Sequence, residues 1–178
     1  HLTGELDDLP FERWLLGRIA SEATGPVVEV GCGPGHVTAY LHAVGADARG
    51  LDLTPEMVDV ARSRFPDVRY DVGDLRRLMR PESAAGWGAV LAWYSLIPLA
   101  ASELPAALES LVRPIAPGGL LVVALQAGDD VAHLDDSLRV IRVTRMARHR
   151  IAEPLRHRPF PGIGADLGVA LPTQLALA

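Results

Sequence analysis

Three glycines at alternating positions are the first residues of this sequence whose type and spacing could do chemistry. Gly31, Gly33 and Gly35 follow a β-prone segment at 27–30 and precede a helix-prone segment at 36–43. Glycine lets the backbone turn sharply and approach a ligand closely, while the first turn of the helix offers free N–H groups and a positive dipole end. A strand, a glycine loop and a helix in this order are typical of a turn that binds a cofactor.

An acidic residue at a suitable distance strengthens this interpretation. Asp52 lies 21 positions after Gly31, at the end of a second β-prone segment at 46–53. A carboxylate at that place can accept hydrogen bonds from both hydroxyls of a ribose. The alternative is that Asp52 only caps the turn at Thr54.

The spacing of the glycines and a second acid distinguish between two cofactors. A dinucleotide fingerprint reads G-x-G-x-x-G, because the pyrophosphate binds at the N-terminus of the helix. This sequence reads G-x-G-x-G, and Glu29 lies two residues before the first glycine. A negative charge beside the loop would repel a pyrophosphate, whereas it suits cationic groups such as the amino and sulfonium centres of S-adenosylmethionine (SAM).

The elements that must position these residues alternate along the chain. Further β-prone segments lie at 68–72, 87–94 and 120–125, the last after a turn at 117–119, and helix-prone segments lie at 55–64 and 103–112. This alternation predicts an α/β fold, a Rossmann-like and mostly parallel sheet with helices on both faces in a three-layer sandwich. Right-handed crossovers place the C-terminal ends of the strands at one edge of the sheet, where ligands bind.

Both ends of the chain have recognisable patterns. Phe11, Trp14, Leu15 and Ile19 recur at helical spacing and predict a first helix with one buried face. Residues 139–178 carry seven arginines against two acids. In this tail the pattern predicts a basic helix at 140–152 and a strand within 167–177. We predict one domain over 1–178, with a core at about 5–130 and an atypical basic tail at 139–178.

Five segments, in order, resemble the class I SAM-dependent methyltransferases, specifically the small bacterial methyltransferase-domain type. The resemblance covers about residues 5–130 and is carried by VVEVGCGPG, LDLTPEMVDVAR, YDVGDL, AVLAWYSLI and IAPGGLLVVAL. It implies a SAM-dependent methyltransferase acting on a small organic acceptor that the sequence does not identify. The acidic helix, glycine turn and antiparallel strand pair that usually end the family are not recognisable in the tail.

The resemblance also implies roles for individual residues. The methionine part of SAM would contact the loop (Gly31, Cys32, Gly33, Gly35), Glu29 and the carbonyl of Ala92, and the adenosine part would contact Asp52, Leu53, Met57, Asp74 and Leu75. Glu29 would orient the loop or reach the amino group through water, and Asp52 would bind the ribose. Asp74 would accept from the adenine amino group. The alternatives are that Met57 is helix core, that Asp74 is a turn or cap residue, and that Cys32 is only a small loop residue.

The acceptor side is less defined. Trp93, Tyr94 and Ser95 follow the fourth strand, where substrate residues usually lie in this family, and His133 follows the fifth. These residues do not spell the Asn/Asp-Pro-Pro-aromatic motif, which disfavours methylation of amino groups in DNA. His133 is alternatively a surface residue, and it has no partner at metal-ligand spacing, so we expect no metal site.

Composition limits the remaining possibilities. The net charge of −5 argues against a general nucleic-acid binder, and no apolar run is long enough to span a membrane. The acidic start HLTGELDDLP is unlike a secretory signal, His1 is not an initiator residue, and the single cysteine fits a reducing compartment. We therefore expect a cytoplasmic enzyme. A SAM-binding module without turnover is the alternative that the tail suggests, and an NAD-dependent oxidoreductase is a weaker one.

Overall fold

The computed structural model describes residue 6 and the ranges 9–82, 84–100, 102–127 and 135–142. Helices and strands alternate through them in the order α1 (Pro10–Glu22), β1 (Val27–Val30), α2 (His36–Ala43), β2 (Ala48–Asp52), α3 (Pro55–Arg64), β3 (Arg69–Val72), a 3-10 turn (Leu75–Arg77), β4 (Trp87–Trp93), α4 (Leu104–Val112), β5 (Ile115–Ala127) and β6 (Asp135–Arg142). None of the helices described is both long enough and apolar enough to cross a lipid bilayer.

The strands form one sheet in the order β3-β2-β1-β4-β5-β6. All neighbours pair in parallel except β5 and β6, which are antiparallel. The chain therefore builds outwards from β1 to β3 on one side and then from β4 onwards on the other. The order reverses between β1 and β4, which is where open α/β sheets have a crevice at the C-terminal ends of the strands.

Apolar side chains cover both faces of the sheet, because neighbouring residues of a strand point to opposite sides. Val27 packs in a cluster with Leu16 of α1 and Leu41 of α2, whereas Val28 packs in a second cluster with Leu111 of α4. Two helical layers thus enclose the sheet. The prediction of a Rossmann-like, mostly parallel three-layer α/β fold is confirmed.

The predicted buried face of α1 is only partly correct. Leu15, Leu16 and Ile19 are buried in the first cluster, but Phe11 and Trp14 are 43% and 44% exposed. The rings of Phe11 and Trp14 stack on each other with centroids 5.9 Å apart. Helical spacing identified Leu15 and Ile19 correctly, whereas Phe11 and Trp14, nearer the start of the helix, lie outside the core.

Two predictions that concern the last two strands of the sheet, β5 and β6, are wrong. Pro117, Gly118 and Gly119 do not precede the fifth strand but lie within β5, where the pairing jumps from Trp87–Ile115 to Ala89–Leu120. Residues 140–142, predicted to start a basic helix, belong to β6, which pairs antiparallel to β5. Backbone pairing with the open side of β5 outweighs the weak helical pattern there. Residues 143–178, including the strand predicted within 167–177, lie outside the described residues.

Strand β3 forms the opposite edge of the sheet, and an arginine of α3 is hydrogen-bonded to its backbone. Arg62 of α3 donates two hydrogen bonds to the carbonyl of Tyr70, at 3.0 and 2.7 Å. The same guanidinium lies 3.8 Å from Asp59 and 3.9 Å from Asp71. Helix α3 is thereby attached to the outermost strand of the sheet.

Candidate functional site

The glycine loop joins β1 to α2 and has a backbone that favours glycine at three positions. The φ angles of Gly31, Gly33 and Gly35 are 68°, 51° and 87°, all in the left-handed region. A Cβ on Gly31 would overlap the Cβ of Ser95, and one on Gly35 would lie 2.7 Å from the hydroxyl oxygen of Tyr70. A Cβ on Gly33 would have no neighbour within 4 Å. Packing thus requires two of the glycines, while the third faces open space.

Asp52 connects the loop to the end of β2. Its Oδ2 accepts from the N–H of Gly33 at 2.8 Å, and its Oδ1 accepts from the N–H of Thr54 at 2.9 Å. The alternative interpretation, that Asp52 only caps the turn at Thr54, accounts for the second contact but not for the first. A carboxylate oxygen can accept two hydrogen bonds, so each oxygen of this half-buried side chain keeps an acceptor position.

Glu29 lies under the loop with only 3% of its surface exposed. The hydroxyl of Thr38, in α2, donates to its Oε2. The pKa of Glu29 is raised to about 8, mainly by burial and to a smaller extent by the negative charge of Asp52, while hydrogen bonds from Thr38 oppose the rise. Near pH 7 this carboxyl is largely protonated, which weakens the argument that its charge repels a pyrophosphate.

Cys32 is the other buried titratable group of the loop. Its N–H donates to the carbonyl of Leu51 at 3.0 Å, and the thiol is almost fully buried. Burial and the neighbouring acids Glu29 and Asp52 raise the pKa of the thiol. A thiol that keeps its proton is a poor nucleophile, which favours the interpretation of Cys32 as a small loop residue.

Tyr70 supports the loop from below, and the sequence interpretation missed it. The residue is buried in β3, its ring lies against Gly35 and Gly50, and its hydroxyl donates to the carbonyl of Gly35 at 2.8 Å. Burial raises the pKa of the hydroxyl. The only sequence signal was its position at the start of the YDVGDL segment. Tyr70 fixes the start of α2 relative to β3.

Tyr70→Phe is expected to lower the free energy of unfolding by about 1 kcal/mol, because the carbonyl of Gly35 loses its donor. Urea unfolding measures this change. Tyr40→Phe is the matched control, since the Tyr40 hydroxyl also donates to a backbone carbonyl, that of Arg13, at 3.2 Å. Only Tyr70→Phe should also weaken ligand binding at the loop. An unfolding midpoint equal to that of the unchanged protein would contradict the role given to Tyr70.

Two exposed apolar side chains lie next to Asp52 along the chain. Leu53 is 61% exposed and Met57, in the first turn of α3, is 43% exposed. Neither belongs to a core cluster of the described residues, so the alternative that Met57 is helix core is wrong. Leu75 is half-buried against the α4 side of the sheet.

Asp74 follows β3 and begins the 3-10 turn. It accepts from the backbone N–H of Arg76 at 2.9 Å and from the guanidinium of Arg76 at 3.1–3.2 Å. These bonds hold the pKa of the Asp74 carboxyl below its usual range. Asp74 therefore caps the 3-10 turn, as the alternative interpretation of this residue predicted. Because β2 and β3 are parallel, Asp52 and Asp74 lie at the same edge of the sheet.

The end of β4 and the residues after it form the other side of this edge. Trp93, which was predicted to follow the fourth strand, is its last residue and is half-buried. Tyr94 has a φ of 56°, which is uncommon for any residue other than glycine. The N–H of Tyr94 donates to the carbonyl of Ala124 at 3.0 Å, and its ring meets that of Trp93 edge-on at 6.1 Å. Ala92 is fully buried within β4. Ser95 then packs on Gly31, so this segment touches the glycine loop.

One predicted residue cannot be placed, because His133 lies outside the described residues. Among the residues that the structure does describe, no three His, Cys, Asp or Glu side chains come close enough together to hold a metal ion.

A glycine turn after β1, bonded to an acid at the end of β2, defines this chain as a Rossmann-like α/β domain. Residues 27–119, more than half of the chain, match the sequence model of the family described as "Methyltransferase domain". The chain belongs to this family, as the resemblance predicted.

Several curated proteins are similar to the chain. A malonyl-[acyl-carrier protein] O-methyltransferase of Serratia marcescens is 32% identical in an alignment that covers 84% of this chain and 63% of that protein. A trans-aconitate 2-methyltransferase of Rhizobium meliloti is 34% identical in an alignment that covers 68% of this chain and 47% of that protein. The chain thus spans about half to two thirds of the length of these relatives.

Solved structures share the same fold. A TehB-like SAM-dependent methyltransferase from Corynebacterium glutamicum superimposes with a TM-score of 0.58 at 25% identity, over 71% of this chain and 68% of that chain. SAM-bound CalS10, an amino pentose methyltransferase from Micromonospora echinaspora, superimposes with a TM-score of 0.55 at 26% identity, over 83% of this chain and 66% of that one.

Proposed function

We propose that this chain binds SAM at the C-terminal edge of its sheet and catalyses transfer of the methyl group to a small organic acceptor. The observation that carries the proposal is the hydrogen bond of 2.8 Å from the N–H of Gly33 to Asp52. It joins the glycine loop to an acid that keeps acceptor positions, beside a glycine that faces open space. Membership of the methyltransferase family and relatives named as methyltransferases support the same conclusion.

The adenosine part of SAM fits the residues that follow β2 and β3. Asp52 accepts from the ribose hydroxyls with its remaining lone pairs. Leu53 and Met57, which are exposed although apolar, cover the adenine ring and lose contact with water when they do so. Asp74 accepts from the adenine amino group, with the N–H of Leu75 as a second contact.

The methionine part fits the glycine loop. Gly31, Cys32, Gly33 and Gly35 line it through their backbone, which a side chain at Gly33 would obstruct. The carbonyl of Ala92 faces the ammonium group. Glu29 holds the loop in place through Thr38 and reaches the amino group only through water, because it is buried.

When bound, SAM supplies an electrophilic methyl group on its sulfonium centre. The chain itself positions the acceptor in line with that group, and we assign this task to Trp93, the last residue of β4, and to Tyr94, which follows it. The unusual backbone of Tyr94 and the contact of Ser95 with Gly31 fix this segment beside the cofactor loop. His133 is a further acceptor-side residue of the proposal. A base is needed only where the acceptor must lose a proton.

Calorimetric titration with SAM and, separately, with NAD tests the cofactor assignment. Saturable binding of SAM alone supports the proposal, whereas binding of NAD alone would favour the oxidoreductase alternative. Methyl transfer is then measured with a panel that includes trans-aconitate, malonyl-[acyl-carrier protein] and an amino pentose, the acceptors that appear in the names of similar proteins. Binding of SAM without turnover of any acceptor would favour the binding module.

Asp52→Ala is expected to weaken binding of SAM by roughly 5- to 150-fold, which corresponds to about 1–3 kcal/mol for unpaired ribose hydroxyls. Calorimetry measures the change. Asp59→Ala is the control, because this acid lies on α3 and its ion pair with Arg62, at 3.8 Å, is remote from the glycine loop. If the affinity of the Asp52 variant equals that of the Asp59 variant, the ribose assignment is wrong.

A further inference from the structure

Most of the acceptor positions on the Asp74 carboxylate are taken by one neighbouring residue. Arg76 donates its backbone N–H to Oδ1 at 2.9 Å, its Nε to Oδ1 and Oδ2 at 3.1 and 3.2 Å, and a terminal nitrogen to Oδ2 at 3.1 Å. A carboxylate has about four acceptor positions. Arg76 directs three hydrogens at this carboxylate, since the single Nε–H is shared between both oxygens, so an incoming amino group competes with the guanidinium for the acceptor positions of Asp74.

A second acceptor for this guanidinium lies close by. Another terminal nitrogen of Arg76 is 4.0 Å from Oε1 of Glu103, the residue that precedes α4. The other oxygen of Glu103 accepts from the N–H of Ala100 at 2.9 Å, which holds the carboxylate in position. Arg76 is half exposed, so its side chain has room to change partner.

We propose that Arg76 competes with adenine for Asp74, and that it exchanges Asp74 for Glu103 when the cofactor binds. This inference rests on the proposed function, in which Asp74 accepts from the adenine amino group. Arg76 is thus a positioning residue that sets the affinity for adenosine-containing ligands. Its contact with Asp74 in the free protein lowers the affinity for the ligand, and in the complex its partner is Glu103.

The exchange connects the two sides of the site. Glu103 ends the segment that runs from Tyr94, after β4, to the start of α4. A firmer ion pair between Arg76 and Glu103 attaches that segment to the turn after β3. Cofactor binding therefore links the adenosine side of the site to the acceptor side.

Calorimetric titration with S-adenosylhomocysteine tests the proposal on the unchanged protein, Arg76→Met, Glu103→Gln and the double variant. Arg76→Met is expected to bind roughly three- to tenfold more tightly, because the ligand no longer displaces a hydrogen bond. Arg77→Met is the control, since Arg77 belongs to the same 3-10 turn and should change the affinity by less than about twofold. Glu103→Gln should weaken binding when Arg76 is present and have no effect when it is absent.

The outcomes separate this inference from the proposed function. If the unchanged protein does not bind S-adenosylhomocysteine, the proposed function and the inference both fail. If it binds, and Arg76→Met binds equally or less tightly, only the competition at Asp74 is refuted. If Glu103→Gln weakens binding equally with and without Arg76, the exchange of partners is refuted.

Discussion

Gly31→Ala is expected to abolish detectable SAM binding and to lower the free energy of unfolding by roughly 2–5 kcal/mol. An alanine there must adopt a φ of 68°, and its Cβ would overlap the Cβ of Ser95. Relief of this overlap requires either the glycine loop or the segment after β4 to move, and both line the proposed cofactor site. Urea unfolding and calorimetric titration with SAM measure the two effects.

Two further variants separate the overlap from the backbone strain. Gly45→Ala has the same kind of strain, with a φ of 98°, but its Cβ would have no neighbour within 4 Å. It should cost about 1–2 kcal/mol and leave SAM binding intact. Ser95→Gly combined with Gly31→Ala should restore part of the lost stability. A Gly31→Ala protein that binds SAM normally would show that the two segments do not need their present contact.

Glu29→Gln is expected to remove a loss of stability that accumulates as the pH rises from about 4.5 to about 8. The folded protein holds the Glu29 proton up to a pKa of about 8, whereas the unfolded chain releases it near 4.5. Between these values the folded state binds more protons, so its stability falls as the pH rises, by up to about 1.4 kcal/mol per pH unit. Below pH 4.5 and above pH 8 this contribution is constant. Glutamine has no proton to release and keeps an acceptor for Thr38.

Urea unfolding at intervals from pH 5 to pH 9 measures this difference. The unchanged protein should lose stability relative to Glu29→Gln as the pH rises, by several kcal/mol over the range. Glu56→Gln, at the exposed start of α3, shows the effect of removing a surface carboxylate. Parallel pH curves for the unchanged protein and Glu29→Gln would mean that Glu29 is ionised throughout and that another group compensates its burial.

The order of elements was predictable because it depends on local patterns. Apolar runs and glycine turns identified β1 and α2 at the bounds that the structure has, and the alternation fixed the parallel sheet. Strand β6 was not predictable in this way, since its strand conformation depends on pairing with β5 and not on its own residues. The bulge in β5 near Gly118 depends on its register with β4, which no local pattern reveals.

The candidate site likewise has contacts that sequence spacing predicts and contacts that it does not. The pairing of the glycine loop with Asp52 follows from strand–helix–strand spacing, and the structure joins them through Gly33. Tyr70 reaches Gly35 from 35 positions away, and Ser95 reaches Gly31 only after β4 has joined the sheet. Such contacts depend on the register of strands. The ionisation of Glu29 depends on burial, which spacing alone does not specify.

Arg62, which is hydrogen-bonded to the backbone of β3, also affects the tendency of the protein to aggregate at high concentration. An outermost strand with free backbone groups can pair with the same strand of another molecule and start aggregation. Here Arg62 already occupies the carbonyl of Tyr70, and the charged Arg69 and Asp71 lie on either side of that residue. A second molecule would have to displace this guanidinium and to desolvate the charged side chains beside it. The contact that attaches α3 to the sheet therefore also protects β3 against edge-to-edge association.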